Sequence, residues 1–262
     1  MTIPDSAFEN LPELRDKMVQ PEDSKLRLSL DDFKAIDANA RAQGRPQGWR
    51  LSHEEREARR KAFIEKRPDP ELWVLGYGSL MWDPSINVTQ LRRANLNGWL
   101  RRFCLDQPFG RGSASNPGLM MAIDQSMPDT CCTGVAMLIP PEGVETETTY
   151  LFRREMMTGA YRPEYFSMET PQGQIQAMAF CVNRQNERYR DLPEPECARR
   201  IASACGPVGT NIEYLENLIA DFDALNIDDP GLRTLLDDAH IMHRRNNNSD
   251  VPHPTSTNSN TI

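Results

Sequence analysis

Two short segments of this chain have the residue types and spacing to do chemistry. The first is Leu72-Trp73-Val74-Leu75-Gly76-Tyr77-Gly78-Ser79-Leu80-Met81-Trp82, an apolar run that meets two glycines around a tyrosine. Trp73 to Leu75 read as a buried strand. Gly76 and Gly78 let the backbone turn sharply and let another group come close. The expected product is a strand-to-loop corner with exposed N–H groups, a short hydroxyl at Ser79 and a phenol at Tyr77. Such a corner suits a small ligand that carries a carboxylate. An ordinary turn at the end of a core strand fits the same residues.

The second segment is Phe152-Arg153-Arg154-Glu155-Met156-Met157-Thr158-Gly159-Ala160-Tyr161-Arg162. Val144 to Met157 has helical spacing at Val144, Thr148, Leu151, Phe152 and Met156, with Gly159 able to close the helix. Glu155 then borders the apolar face near the helix C-terminus. Partial burial and the negative end of the helix dipole both raise a carboxyl pKa toward the range of a general base. A surface glutamate paired with Arg153, Arg154 or Arg162 is the other reading.

Other chemistries lack their residues. Gly76-Tyr77-Gly78 has no third glycine and no alternating helix–strand pattern after it, so it is not a dinucleotide fingerprint. There is no P-loop and no Gly-x-Ser-x-Gly elbow. The six cysteines (Cys104, Cys131, Cys132, Cys181, Cys197, Cys205) form no CxxC pair. They read as reduced and mostly buried thiols. The four histidines complete no zinc pattern, and His240 and His243 read as an exposed helix face.

These segments sit in a chain of 262 residues with net charge −8, which argues against binding to nucleic acid or an anionic membrane. No apolar run reaches the ~18 residues of a transmembrane helix. Met1-Thr2-Ile3-Pro4-Asp5 lacks the start of a signal peptide, so a cytoplasmic protein is expected.

Residues 1–70 are charged and strand-poor. Short helices are expected over Asp31 to Ala42 and Glu55 to Lys66, the second behind a capping box at Ser52-His53-Glu54-Glu55. We read 1–70 as a helical N-terminal extension that carries no candidate base or nucleophile and is not needed for chemistry. A disordered arm is the alternative. Strands are expected at Leu72 to Leu75, Gly98 to Leu105, Leu119 to Ile123 and Gly134 to Ile139. A hairpin of Tyr165 to Met168 and Gln174 to Val182 should turn at Thr170-Pro171-Gln172-Gly173. Gln107 to Ser113 reads as a loop.

Helices follow: one from Pro195 to Gly206-Pro207, one capped by Thr210, and one from Asp228-Asp229-Pro230 through Ala239. Strands first and helices later indicate an α+β fold. The core domain spans 71–243, and 244–262 reads as a disordered tail.

At this point the chain resembles the ChaC family of glutathione-specific γ-glutamylcyclotransferases over roughly Leu72 to Leu236. The resemblance rests on separate segments in order. They are Gly76 to Trp82, Gly98-Trp99-Leu100-Arg101-Arg102-Phe103, Gly110-Arg111-Gly112-Ser113 with Pro117-Gly118, and Thr133-Gly134-Val135-Ala136. Arg154-Glu155-Met156-Met157-Thr158-Gly159 and Gly206-Pro207-Val208-Gly209-Thr210-Asn211-Ile212-Glu213-Tyr214-Leu215 complete it. Arg-Glu-Met in place of Arg-Glu-Lys-Gly-Gly-Tyr is similar to the bacterial branch.

The resemblance implies a small mixed β-barrel surrounded by helices. It implies a lyase that cleaves glutathione to 5-oxoproline and Cys-Gly through attack by the γ-glutamyl α-amine. Glu155 would be the acid/base. Val74, Leu75, Gly76, Tyr77, Gly78, Ser79 and Leu80 would cradle the γ-glutamyl group, with Arg111 and Tyr214 near the substrate. No metal or cofactor is expected, and the partner is a small molecule, with a monomer as the expected state. Two alternatives stand beside it: a cyclotransferase for other γ-glutamyl amino acids or amines, and a regulatory binding protein linked to cation transport. Should Glu155 not be the base, Glu164, Glu169 and Glu213 are the next carboxylates.

Overall fold

A computed structural model describes residues 2–249. They form two compact units: 2–105 with 120–191 and 220–228, and 106–119 with 192–219 and 229–249. In the first unit the helices are α1 (Leu30–Ala42), α2 (His53–Ile64) and α3 (Val144–Glu155). The strands are β1 (Leu72–Gly76), β2 (Gln90–Asn97), β3 (Trp99–Gln107), β4 (Gly118–Gln125), β5 (Cys131–Ile139), β6 (Tyr161–Thr170) and β7 (Gly173–Val182). Among the described residues, no helix is long and apolar enough to cross a membrane.

The strands form a sheet in the order β1-β5-β2-β6-β7-β4-β3, and a further pairing of β1 with β7 closes the first five of these into a barrel. β1 runs antiparallel to β5, from Leu72 opposite Ile139 to Gly76 opposite Val135. It runs parallel to β7, with Trp73 opposite Ala177. All five β1 residues are buried, which is why this strand reads as a continuous apolar run without alternation. The fold is thus the expected α+β barrel with helices.

β2 is absent from the sequence-based strands. Its residues Gln90-Leu91-Arg92-Arg93-Ala94-Asn95-Leu96-Asn97 are mostly polar, and only Leu91, Ala94 and Leu96 turn inward. Pairing along its whole length with β5 makes it a strand. Tertiary context outweighs a weak local preference here.

The expected helices of the extension are present as α1 and α2. Ser29 caps α1 in a full capping box with Asp32. At α2 the expected box is half made. Ser52 Oγ accepts from Glu55 N at 3.0 Å, while the Glu55 carboxylate takes Arg59 at 2.6 Å instead. The charged look of α2 also misleads, because Arg56 and Arg60 are buried. Arg60 reaches α3, donating to Thr148 Oγ1 at 3.0 Å and to Glu145 at 2.9 Å. Ahead of α1, the buried Phe8, Leu11, Leu14 and Met18 belong to the core of the first unit.

The second unit holds α4 (Glu194–Ser203), the two-residue strands β8 (Cys205–Gly206) and β9 (Gly209–Thr210), α6 (Pro230–Ser249) and the part of α5 (Asn211–Ala224) up to residue 219, the rest of α5 counting with the first unit. Gly206 is required there: a Cβ would lie 2.2 Å from the Gly110 carbonyl oxygen. Thr210 starts α5 as expected. Its hydroxyl accepts from Glu213 N at 3.2 Å, and Glu213 accepts from Thr210 N at 2.8 Å. The tail expected over 244–262 is corrected at its start, since α6 continues to Ser249. Once the buried Leu232, Leu235 and Ala239 hold a helix, each added residue extends it at little cost. Residues 250–262 lie outside the described residues.

Candidate active site

β1 ends at Gly76, and one 3-10 turn follows over Ser79–Met81. Met81 N closes this turn on Gly78 O at 2.8 Å, and Asp83 N returns to Ser79 O at 2.9 Å. The first amides of a helical turn have no acceptor within the helix, and here they are those of Ser79 and Leu80.

The corner differs from expectation in what its side chains do. Val74 and Leu75 are completely buried in the barrel core, and Leu80 is buried too. They position the corner. The Tyr77 ring turns inward, and its hydroxyl donates to the Phe180 carbonyl at 2.6 Å. Burial drives that phenol well above its ordinary pKa. The expected phenol at the surface of the corner is therefore corrected: a partly apolar ring gains more inside, provided its OH finds an acceptor. What the corner can offer a ligand is backbone from Gly76 to Leu80 and the Ser79 hydroxyl.

Two arginines brace this corner. Arg101 on β3 is buried and donates through Nε to the Tyr77 carbonyl at 2.7 Å, with a further bond to the Thr133 carbonyl and its guanidinium 4.4 Å from the Phe222 ring centre. Arg154 on α3 donates to Ser79 Oγ at 2.9 Å and to the Asp83 carbonyl. Neither arginine was assigned to the site from sequence. The only local signal for Arg101 is a cation inside an apolar strand.

Glu155 is the last residue of α3, and its side chain is 14% exposed. Oε1 pairs with Arg154 Nε at 2.9 Å. Burial raises the carboxyl above the ordinary glutamate value, and the Arg154 guanidinium pulls against that rise without cancelling it. The pair with Arg154 foreseen for a surface residue thus exists, but on a carboxylate largely removed from water. Arg154 touches both Glu155 and Ser79, so α3 and the corner meet at one guanidinium. Gly159, with φ +69°, turns the chain toward β6 four residues beyond the helix end.

About two turns earlier on the same helix, Glu147 shows the opposite behaviour. It is 3% exposed. Burial alone would raise it, but bonds from Arg27 at 2.7 and 3.1 Å, and from Asn87 N at 2.9 Å and Asn87 Nδ2 at 2.8 Å, hold it below the usual range. Glu147 is a fully bonded structural anion, whereas Glu155 pairs with Arg154.

The reserve carboxylates are occupied or exposed. Glu164 pairs with Arg162, Glu169 is exposed, and Glu213 caps α5, where hydrogen bonds from Thr210 lower its pKa.

Arg111 and Tyr214 belong to the second unit and meet each other there. The Arg111 guanidinium lies 5.7 Å from the Tyr214 ring centre, and Nη1 donates to the Thr210 carbonyl at 2.8 Å. Asn211, at the start of α5, is fully buried and grips Leu119, accepting from its N–H at 2.6 Å and donating to its carbonyl at 2.9 Å. Among the described residues no cysteine forms a disulfide; Cys104, Cys132, Cys181 and Cys197 are buried, and Cys131 and Cys205 are exposed.

Comparisons with known proteins agree with this arrangement. The family model described as ChaC-like protein matches residues 72–241. The glutathione-specific γ-glutamylcyclotransferase of Escherichia coli (strain K12) is 39% identical over 188 residues, covering 71% of this chain and 80% of that protein. The human glutathione-specific γ-glutamylcyclotransferase 1 is 34% identical over 165 residues, covering 61% of this chain and 73% of that protein. Among solved structures, the fold is similar to a yeast γ-glutamyl cyclotransferase specific to glutathione, with TM-score 0.60 and 23% identity over 68% of this chain and 99% of that one. With that family model matching residues 72–241 and the bacterial relative 39% identical over most of both chains, this chain belongs to the ChaC-like family.

Proposed function

We propose that this protein is a γ-glutamylcyclotransferase that cleaves glutathione to 5-oxoproline and Cys-Gly. The observation that carries the reading is Glu155, a largely buried carboxyl that burial raises above the ordinary glutamate value, joined through Arg154 to the glycine corner. The names of the relatives in bacteria and animals support the choice of substrate.

The reaction needs no water. The α-amine of the γ-glutamyl group attacks its own side-chain amide carbonyl and closes a five-membered lactam, and the cysteinyl nitrogen leaves with a proton. The enzyme must first hold the extended substrate in a curled form, where an effective molarity of order ~10⁵ M becomes available. The amides from Gly76 to Leu80 and the Ser79 hydroxyl are suited to the α-carboxylate, and one of these amides can also stabilise the oxyanion. The ammonium first gives up one proton to solvent; as the neutral amine bonds to the carbonyl carbon, Glu155 takes a proton from the attacking nitrogen and returns it to the leaving nitrogen as the old C–N bond breaks. A carboxylate whose pKa lies above the ordinary value is a better acceptor for that proton, which favours catalysis over ligand binding alone. The protein would act as a monomer in the cytoplasm.

Incubation of the purified protein with glutathione, read by mass spectrometry, should yield 5-oxoproline and Cys-Gly in equal amounts. Turnover of γ-glutamyl amino acids or amines with glutathione inert would favour the broader cyclotransferase. Tight binding of a γ-glutamyl compound without any 5-oxoproline would favour a regulatory protein.

A further inference from the structure

Arg154 makes more contacts at the site than a structural ion pair with Glu155 requires. Its side chain is 7% exposed, and its three nitrogens are divided among separate tasks. Nε holds Glu155 Oε1 at 2.9 Å, Nη2 donates to Ser79 Oγ at 2.9 Å, and Nη1 donates to the Asp83 carbonyl and lies 3.4 Å from Ser85 Oγ. The planar fork of an arginine can serve such diverging acceptors, whereas a lysine ammonium cannot span them from one position.

We infer that Arg154 is a positioning residue that ties the Glu155 carboxylate to Ser79 and so fixes the base relative to the ligand corner. The inference rests on the reading of Glu155 as the base. The groups around this carboxylate define its charge environment. Arg154 comes from its own helix, the Tyr77 phenol from the corner, and Asp83 stands 3.8 Å from the far side of Arg154. Arg154 is the cation among them. It opposes the burial that would otherwise leave Glu155 protonated over more of the working range. Losing it should therefore move the acid limb of the pH profile upward, and the freed corner should bind substrate less well. A residue that merely packed α3 against the loop would do neither.

The test is the pH dependence of kcat and kcat/KM for glutathione in the full chain, with folding checked by circular dichroism. An arginine beside a carboxylate lowers its pKa by about 1–3 units. Arg154→Met should therefore shift the acid limb upward by about one unit or more, lowering kcat/KM about tenfold per unit at pH values below the limb, and should raise KM. Arg154→Lys keeps the charge and loses the fork, so its limb should stay near that of the wild type while kcat falls and KM rises. Ser79→Ala should leave the limb in place and raise KM.

Arg154→Met with the wild-type limb and wild-type KM overturns the inference. If that variant does not fold, Arg154→Lys with unchanged kcat and KM overturns it equally. Glu155→Gln separates the two layers. An active Glu155→Gln protein removes the base and the inference with it. An inactive one beside an unaffected Arg154→Met removes only the inference.

Discussion

The hydroxyl of Ser24 donates to the carboxylate of Asp83 at 2.6 Å, joining the N-terminal extension to the loop that follows the glycine corner. It does not act alone. Val19 N donates to the Trp82 carbonyl at 2.6 Å, Arg27 to the Ser85 carbonyl at 2.8 Å, and Leu51 N to the Met157 carbonyl at 2.9 Å, two residues beyond Glu155. From sequence we expect a chain starting near Asp69 to keep its turnover. These contacts argue for the reverse. Removal of 1–68 also uncovers the surface now shielded by Phe8, Leu11, Leu14 and Met18, and each fully buried side chain of this size contributes roughly 1.5–3 kcal/mol. The shortened chain should be insoluble or lose its cooperative melting transition. A soluble, cooperatively melting chain from Asp69 with full turnover would restore the expectation drawn from sequence.

Gly134 and Gly78 should differ sharply under substitution. A Cβ at Gly134 would stand 2.3 Å from the Gly76 carbonyl oxygen, backbone that cannot give way without opening β1 from β5. At Gly78 it would meet only the flexible Met121 Cε, at 2.7 Å. Gly134→Ala should cost about 1–3 kcal/mol, as overpacking of a tight core does. Gly78→Ala should cost less, while Gly78→Val should abolish activity in a folded protein by blocking the corner. Thermal melts and glutathione turnover measure both. Equal melting temperatures for the two alanine variants would contradict the packing argument, and a fully active Gly78→Val protein would remove the corner from the site.

Glu155→Gln should lower turnover about 10²–10⁴-fold, the usual value of a general acid–base group, while glutathione still binds. Its stability should carry a signature too. A carboxyl whose folded pKa lies above its unfolded value makes the native state bind more protons between those two pKa values. Stability then falls as pH rises through that window and stays level above it. Glutamine has no such penalty, so the melting temperature of Glu155→Gln relative to wild type should be higher at neutral pH than near pH 4. Melts at the two pH values with a constant offset would show that Glu155 does not titrate above its ordinary value.

Glu147→Ala should act in the other direction and leave the chemistry alone. Its removal strips the partly buried Arg27 and the Asn87 amides of their acceptor, and breaking a buried pair in this way costs about 3–5 kcal/mol. With its folded pKa below the unfolded value, Glu147 stabilises the protein above the unfolded pKa. That contribution disappears as pH falls through the folded one. The stability gap between wild type and Glu147→Ala should therefore close in acid. Chemical denaturation between pH 7 and pH 3 measures it, and a gap that widens on acidification would be the contrary result.

Local rules in the sequence determined much of this protein. The apolar run of β1, the period of α3, the hairpin of β6 and β7 and the Thr210 cap are written in neighbouring residues, where side-chain spacing and turn chemistry act over a few positions. The strand that leads to the glycines and the helix that ends at Glu155 were legible for the same reason. Tertiary structure decided what depends on partners distant in the chain. It made a strand of the polar β2 by pairing it with β5, and it turned the Tyr77 hydroxyl inward to Phe180. It also brought Arg101 and Arg154 to the corner and packed the extension into the core. Glu147 and Glu155 make the division plainest. Both are glutamates on the buried side of one helix, and nothing local separates them. Arg27 and Asn87 reach the first and hold it below the ordinary glutamate value, while burial keeps the second above that value against one arginine, so folding alone sets the two apart.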